Sequence, residues 1–216
     1  MPRIPVPAFV TRTVSRQLGG PSGPLGEVIA RLLNKGNAPT ITAAVGALDL
    51  KGGERVADVG FGGGLGLDLL LEAVGPDGRV YGVEPARDML TRARKRHAED
   101  LEIGRLELDE ATMDALPFPD GALDGWISLN TVYFVADLPG SFAELRRVLA
   151  PHGRGVLGVA DPAWLARQPV ARYSFTVRPV EDVAAALRDA GFDVEQRRLG
   201  DGPEPYTLLV CSTGAG

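Results

Sequence analysis

The sequence predicts an α/β domain, a parallel β-sheet with helices on both faces, and three observations carry that expectation. From Arg55 onward, short apolar runs alternate with amphipathic stretches at helical spacing. The first of those runs, Arg-Val-Ala-Asp-Val, passes without a break into Gly-Phe-Gly-Gly-Gly-Leu-Gly and then into a helical pattern. The chain has 216 residues, 44% of them hydrophobic and 24% charged, which suits one ordinary globular domain with a sizeable core.

The first 35 residues differ from the rest. Arg3, Arg12, Arg16, Arg31 and Lys35 face only Glu27, a balance of +4 against −9 for the remainder. Pro2, Pro5, Pro7 and the scattered arginines interrupt any signal-peptide core, and no apolar run approaches the roughly 18 residues a bilayer span needs. Val10, Val14 and Leu18 place one apolar stripe on a short helix, the glycines and prolines of Gly19 to Pro24 break it, and Gly26 to Leu33 and Ile41 to Leu48 read as two further helices. The expected organisation is a helical segment over residues 1–45 followed by a main domain over 46–216. A net charge of −5 and a pI near 5.1 weigh against a general nucleic-acid binder. The lone Cys211, within Leu208-Leu-Val-Cys, reads as a buried structural thiol, and a soluble protein of a reducing cytoplasm is expected.

Arg55 to Val59 is the first strand, and the helix that opens near Leu65 closes at Gly75-Pro-Asp-Gly78. Arg79 to Glu84 is the second strand. Arg87 to Glu99 forms a helix with Met89, Leu90 and Ala93 inward, and Leu106-Glu-Leu is the third strand. Leu123 to Leu129 is the fourth, and Leu138, Phe142, Leu145 and Leu149 mark the inner face of the next helix. Gly153 to Ala160 is the fifth. Pro179 with Glu181 and Asp182 opens the last helix, Gly191 caps it, and Phe192 to Leu199 and Tyr206 to Ser212 complete the strands.

The glycines carry the chemistry. Gly60, Gly62 and Gly64 let backbone approach a ligand, and the helix that follows aims its unpaired N–H groups at the same spot. A dinucleotide fingerprint G-x-G-x-x-G does not fit, because the sixth position is Leu65 counted from Gly60 and Leu67 counted from Gly62. Asp58 at the strand tip would repel a pyrophosphate but pair with an ammonium group. Glu84, 20 residues after Gly64, can accept both hydroxyls of a ribose, as it would in a dinucleotide site too. Asp58 and the glycine register together point to a ligand carrying a nucleoside and an amino acid. No G-x-S-x-G elbow occurs, and the two histidines and one cysteine lack metal-ligand spacing, so hydrolysis and metal binding have no support. His97 and His152 read as surface residues.

Asp58-x-Gly60-x-Gly62-x-Gly64 with Glu84 resembles motif I of the class I S-adenosylmethionine-dependent methyltransferases. Leu116-Pro-Phe-Pro-Asp120, Leu123-Asp124, Asn130-Thr-Val-Tyr-Phe134, Glu144 to Gly153 and Ala190-Gly-Phe192 extend the resemblance over about residues 45 to 213, toward the small-molecule branch that includes quinone-biosynthesis C-methylases. It implies a Rossmann-like seven-stranded sheet whose last strand enters antiparallel through a hairpin, S-adenosylmethionine as cofactor, and methyl transfer to a small, moderately apolar acceptor at O, N or C. Cofactor contacts are then expected at Asp58, Gly60, Phe61, Gly62, Gly64, Glu84, Pro85, Thr112, Met113 and Asn130. Two departures stand out: the family's Gly-Asp-Ala is Ala111-Thr112-Met113 here, and Phe61 replaces a usual Cys or Ser. Asn130 and Tyr133 keep the spacing of N-P-P-[YF] without its prolines. Tyr133, an aromatic face for a sulfonium, is the expected catalytic residue. Asn34, Tyr133 and Phe134 are the expected acceptor contacts, with Trp164, Tyr173 and Phe175 walling the pocket. The N-terminal segment is expected to act as a lid, with contact to a membrane surface as the other reading. A non-catalytic S-adenosylmethionine-binding regulator and an NAD-dependent reductase are the rival functions.

Overall fold

The computed structural model describes residues 37–167, 176–200 and 205–214. Helix α1 covers residues 37–47 and sends Ala44 and Ala47 into the core. The chain continues as β1 (Arg55–Val59), α2 (Leu65–Val74), β2 (Arg79–Val83), α3 (Arg87–Arg96), α4 (Ala98–Glu102), β3 (Leu106–Asp109), β4 (Leu123–Leu129), α5 (Leu138–Val148), β5 (Leu149–Ala160), α6 (Pro162–Leu165), α7 (Val180–Asp189), β6 (Asp193–Leu199) and β7 (Tyr206–Ser212). The strands form one seven-stranded sheet in the order β3-β2-β1-β4-β5-β7-β6. β1 to β5 pair in parallel, and β7 runs antiparallel to both β5 and β6, which is the sheet the sequence implies.

Burial explains the pattern. The central strands are covered on both faces, so β1 and β4 read as near-continuous apolar runs in which Val56, Ala57, Trp126 and Ile127 are wholly enclosed. α2 buries Leu67, Leu70, Leu71 and Val74, and α5 buries Leu138, Phe142, Leu145 and Val148, each a stripe at helical spacing. α5 starts where it does because the Asp137 carboxylate accepts from the Gly140 N–H at 3.1 Å and Pro139 occupies its first turn. The Trp126 ring lies against Gly155, where a side chain would collide with it, and meets Phe192 edge-on with centroids 5.9 Å apart.

Two local expectations are corrected. The helix expected over Arg87 to Glu99 breaks at His97 (φ −111°, ψ 35°), ending α3 and starting α4. His97 is therefore not a surface residue: the break turns its ring inward to 6% exposure, 3.5 Å from Asp68 of α2 and 3.9 Å from Asp100. β5 begins at Leu149, four residues before Gly153, because Leu149 already pairs with Leu123 ahead of a register shift toward Gly125. The stripe of Val10, Val14 and Leu18, the helix over 26–33, Asn34, Tyr173 and Phe175 lie outside the described residues. Among the described residues, no helix is long and apolar enough to cross a membrane.

The strand order positions the site. β2 lies on one side of β1 and β4 on the other, so the loops leaving β1 and β4 diverge and open a crevice above the carboxyl edge of the sheet.

Candidate functional site

A cavity of about 580 Å³ occupies that crevice, within the range of roughly 300–1,000 Å³ usual for ligand pockets. Its floor is the glycine turn. The Gly60 N–H donates to the Val83 carbonyl at 2.7 Å, and Gly64 closes the turn onto the Phe61 carbonyl at 2.9 Å before capping α2. Gly60 has φ +78°, and a Cβ there would run into the Thr131 methyl group, so both conformation and space require glycine. Gly66, in the first turn of α2, marks a second close approach: a Cβ on it would occupy the place of the Asp58 carboxylate.

Asp58 is the most telling group. Its side chain lines the cavity, is 5% exposed, and receives no hydrogen bond from any described residue. Burial, and secondarily the neighbouring Glu84, push its pKa up to about 8. A buried carboxylate without a partner is costly, and a ligand cation relieves that cost. Glu84 at the end of β2 differs. One carboxylate oxygen accepts from the Gly62 N–H and the other from the Ala86 N–H, each at 3.0 Å, so the residue ties the glycine loop to the second strand. Burial raises its pKa while those two N–H groups work against the rise. Each oxygen keeps a lone pair, enough to accept a pair of vicinal hydroxyls.

Pro85, Thr112 and Met113 line the β2 and β3 side of the cavity, together with Met89. Phe61 is 6% exposed and also lines it; the ring fits because it lies over Gly82, a β2 residue with no side chain to displace it.

The far wall follows β4. Asn130 adopts the left-handed conformation (φ 60°), donates its N–H to the Gly158 carbonyl at 3.0 Å, and accepts from the Tyr206 hydroxyl at 3.2 Å. The Tyr133 hydroxyl accepts from the Ala160 N–H at 2.6 Å, and the Tyr133 carbonyl accepts from the Thr176 N–H at 2.9 Å. Burial raises the Tyr133 pKa well above the usual phenol range, so this side chain keeps its proton at neutral pH. Arg178 forks onto the carbonyls of Val132 and Val135, both at 2.8 Å, and holds the same loop from outside. Phe134, 42% exposed, stands at the rim with Trp164 and Leu165 of α6 and Asn37 and Ile41 of α1.

Of the residues expected from sequence, Asp58, Gly60, Phe61, Gly62, Glu84, Pro85, Thr112, Met113, Asn130, Tyr133 and Phe134 all line this one cavity. Gly64 does not; it caps α2 beneath the turn. Asn34 lies outside the described residues. Sequence reasoning missed Gly66, Met89 and Thr131. Gly66 looked like any helix residue, Met89 like core, and Thr131 gains its place only from the turn after β4.

A family profile described as "Methyltransferase domain" matches residues 57–157. The chain is 40% identical over 115 residues to the demethylmenaquinone methyltransferase of Thermus thermophilus, covering 51% of this chain and 50% of the relative. It is 31% identical over 180 residues to the ubiquinone/menaquinone biosynthesis C-methyltransferase UbiE of Paracoccus denitrificans, covering 81% of this chain and 71% of that one. The geranyl diphosphate C-methyltransferase of Streptomyces coelicolor A3(2) superposes with a TM-score of 0.72 at 18% identity, covering 92% of this chain and 88% of the other, a likeness of fold. The alignments span 33%, 50% and 38% of the length of three curated relatives.

Proposed function

The chain belongs to the class I S-adenosylmethionine-dependent methyltransferases, and on that premise we propose that it transfers the cofactor's methyl group to a small, moderately apolar acceptor. The observation that carries this reading is the buried Asp58 carboxylate, which no described residue hydrogen-bonds, facing the cavity beside Glu84. That pair suits a ligand with an ammonium group at one end and a ribose in the middle, which S-adenosylmethionine has and a dinucleotide does not. When bound, the cofactor supplies a methyl group on a sulfonium, already activated for in-line displacement.

The protein's own part is alignment. Asp58 pairs with the ammonium and Glu84 accepts the ribose hydroxyls. Gly60 and Gly62 keep the floor free of side chains, and Thr112, Met113 and Pro85 border the adenine end. Asn130 belongs to the opposite end, where the β4 loop meets the glycine turn. Tyr133 faces the sulfonium with its ring and orients the acceptor, while Phe134, Trp164, Leu165 and Ile41 give the acceptor an apolar wall. Holding donor and nucleophile in near-attack geometry can supply on the order of 7 to 11 kcal/mol of the barrier. Residues 1–45 act as a lid that excludes water, with Asn34 as an acceptor contact.

The acceptor's chemistry is read from the bases among the described lining residues, none of which is free for it. Asp58 and Glu84 serve the cofactor, Asp137 caps α5, Tyr133 keeps its proton, and Asp114 stands at the exposed rim. An acceptor that loses its proton readily, a phenol or an activated ring carbon, suits such a site among the described residues. One relative above is named for demethylmenaquinone and the other for C-methylation in ubiquinone and menaquinone biosynthesis, which supports an acceptor of that character. We place the reaction in the cytoplasm, with a small molecule as the partner and no general nucleic-acid binding.

The test is a screen for demethylated cofactor across phenols, activated carbon acids and amines, with calorimetry for the cofactor itself. Turnover on a phenol or carbon acid is expected. Tight cofactor binding with silence across every class would favour a binding protein over an enzyme.

A further inference from the structure

Two hydroxyl side chains join the tips of β1 and β4, and both lie outside the roles assigned so far. Ser128 is fully buried in β4, and its Oγ donates to the carbonyl of Val59, the last residue of β1, at 2.7 Å. The same Oγ lies 2.6 Å from Thr131 Oγ1. A carbonyl only accepts, and a serine hydroxyl has one proton, so that proton is committed to Val59. The Thr131 hydroxyl must then be the donor of the second bond, which fixes its rotor and leaves only lone pairs on Oγ1. Thr131 lines the cavity, and its methyl group fills the space beside Gly60. A threonine hydroxyl ordinarily swings between giving and accepting; here it is locked as an acceptor.

The sheet order says what reaches it. Along the carboxyl edge the strands run β3, β2, β1, β4. Glu84 ends β2, Asp58 lies near the end of β1, and Thr131 follows β4. With the ribose at Glu84, the amino-acid end of the ligand lies toward β1 and β4. We propose that Thr131 Oγ1, held as an acceptor by Ser128, is a further binding residue for the cofactor's ammonium group and shares it with the Asp58 carboxylate. The proposal rests on the reading of the cavity as an S-adenosylmethionine site. An ammonium presents several N–H donors in different directions, and one carboxylate does not satisfy them all. A fixed neutral acceptor on the β4 side takes a donor that Asp58 leaves, without adding a second buried charge.

Calorimetry on the full chain with two unreactive ligands tests this: S-adenosylhomocysteine, which carries the amino acid, and 5′-methylthioadenosine, which keeps the nucleoside and thioether without it. Thr131→Val preserves the branched shape against Gly60 and deletes the hydroxyl; Thr131→Ser does the reverse; Ser128→Ala frees the Thr131 rotor. Thr131→Val should weaken S-adenosylhomocysteine roughly ten-fold or more and leave methylthioadenosine unchanged, since a hydrogen bond to a charged group is at stake. Ser128→Ala should shift the first ligand in the same direction, and Thr131→Ser should bind both as wild type does. Unchanged S-adenosylhomocysteine affinity in Thr131→Val would overturn the proposal, and so would equal weakening of both ligands, which signals a displaced loop. Wild-type protein that binds neither ligand would overturn the cofactor reading beneath it.

Discussion

Replacing Asp58 by Asn should make the free protein more stable while making it a poorer binder. The carboxyl pKa rises on folding from 3.8 to about 8, so the native state holds a proton that the unfolded chain has lost. Between those values the unfolded state binds fewer protons, and stability falls as pH rises, by about 1.36 kcal/mol per unit and about 6 kcal/mol in all. A neutral amide in the same place costs about as much to bury as the protonated carboxyl it replaces, so the charge alone makes the difference. Asp58→Asn should therefore gain about 6 kcal/mol over wild type at pH 8.5, on the order of 10–20 °C in melting temperature for a chain of this size, and almost nothing at pH 4. Binding should move the other way. At pH 6 only about one molecule in a hundred has Asp58 ionised, so wild-type affinity for an ammonium ligand should climb about ten-fold per pH unit until pH 8. The variant should bind weakly and without that slope. Melting curves and calorimetry from pH 4 to 8.5 check both halves. A variant destabilised at high pH, or a wild-type affinity flat with pH, would refute the picture of Asp58 as a buried carboxylate awaiting a cation.

Gly66→Ala should abolish cofactor binding even though alanine favours the helix by about 1 kcal/mol, because its methyl group would displace the Asp58 carboxylate; calorimetry beside a melting curve separates the two effects. Burial lowers the pKa of His97, with weaker opposing effects from Asp68 and Asp100, so the unfolded chain takes up a proton that the folded one resists. Stability should thus fall as pH drops below about 6.5, and His97→Gln should flatten that slope in urea titrations at pH 5 and 7. Deleting residues 1–20 should leave cofactor affinity nearly intact and remove methyl transfer; full turnover by the truncated chain would rule out a lid.

Much of this site was legible in the sequence because its logic is local. Asp58, the glycines and the start of α2 follow one another along the chain, so strand, turn and helix could be read as one unit, and Glu84 followed from its spacing. The alternation of strands and helices likewise gave the parallel sheet. What stayed hidden depends on contacts between distant residues. The Ser128 hydrogen bond to Val59 spans 69 positions, and the Arg178 fork spans 46 and 43. His97 looked solvated within a run of arginines, and only the helix break beside Asp68 turns it inward. Phe61 was legible only as a departure from the usual Cys or Ser, and the room for its ring comes from Gly82 on the neighbouring strand.

The central claim is that the crevice above β1, β2 and β4 recognises a nucleoside joined to an amino acid and uses it to donate a methyl group. Calorimetric titration of the full chain with S-adenosylmethionine, S-adenosylhomocysteine and NAD at pH 8 tests it most directly. Saturable one-to-one binding of the first two, lost in Glu84→Ala, with no heat from NAD, is the predicted result. Binding of NAD alone, or cofactor binding that survives Glu84→Ala undiminished, would contradict it.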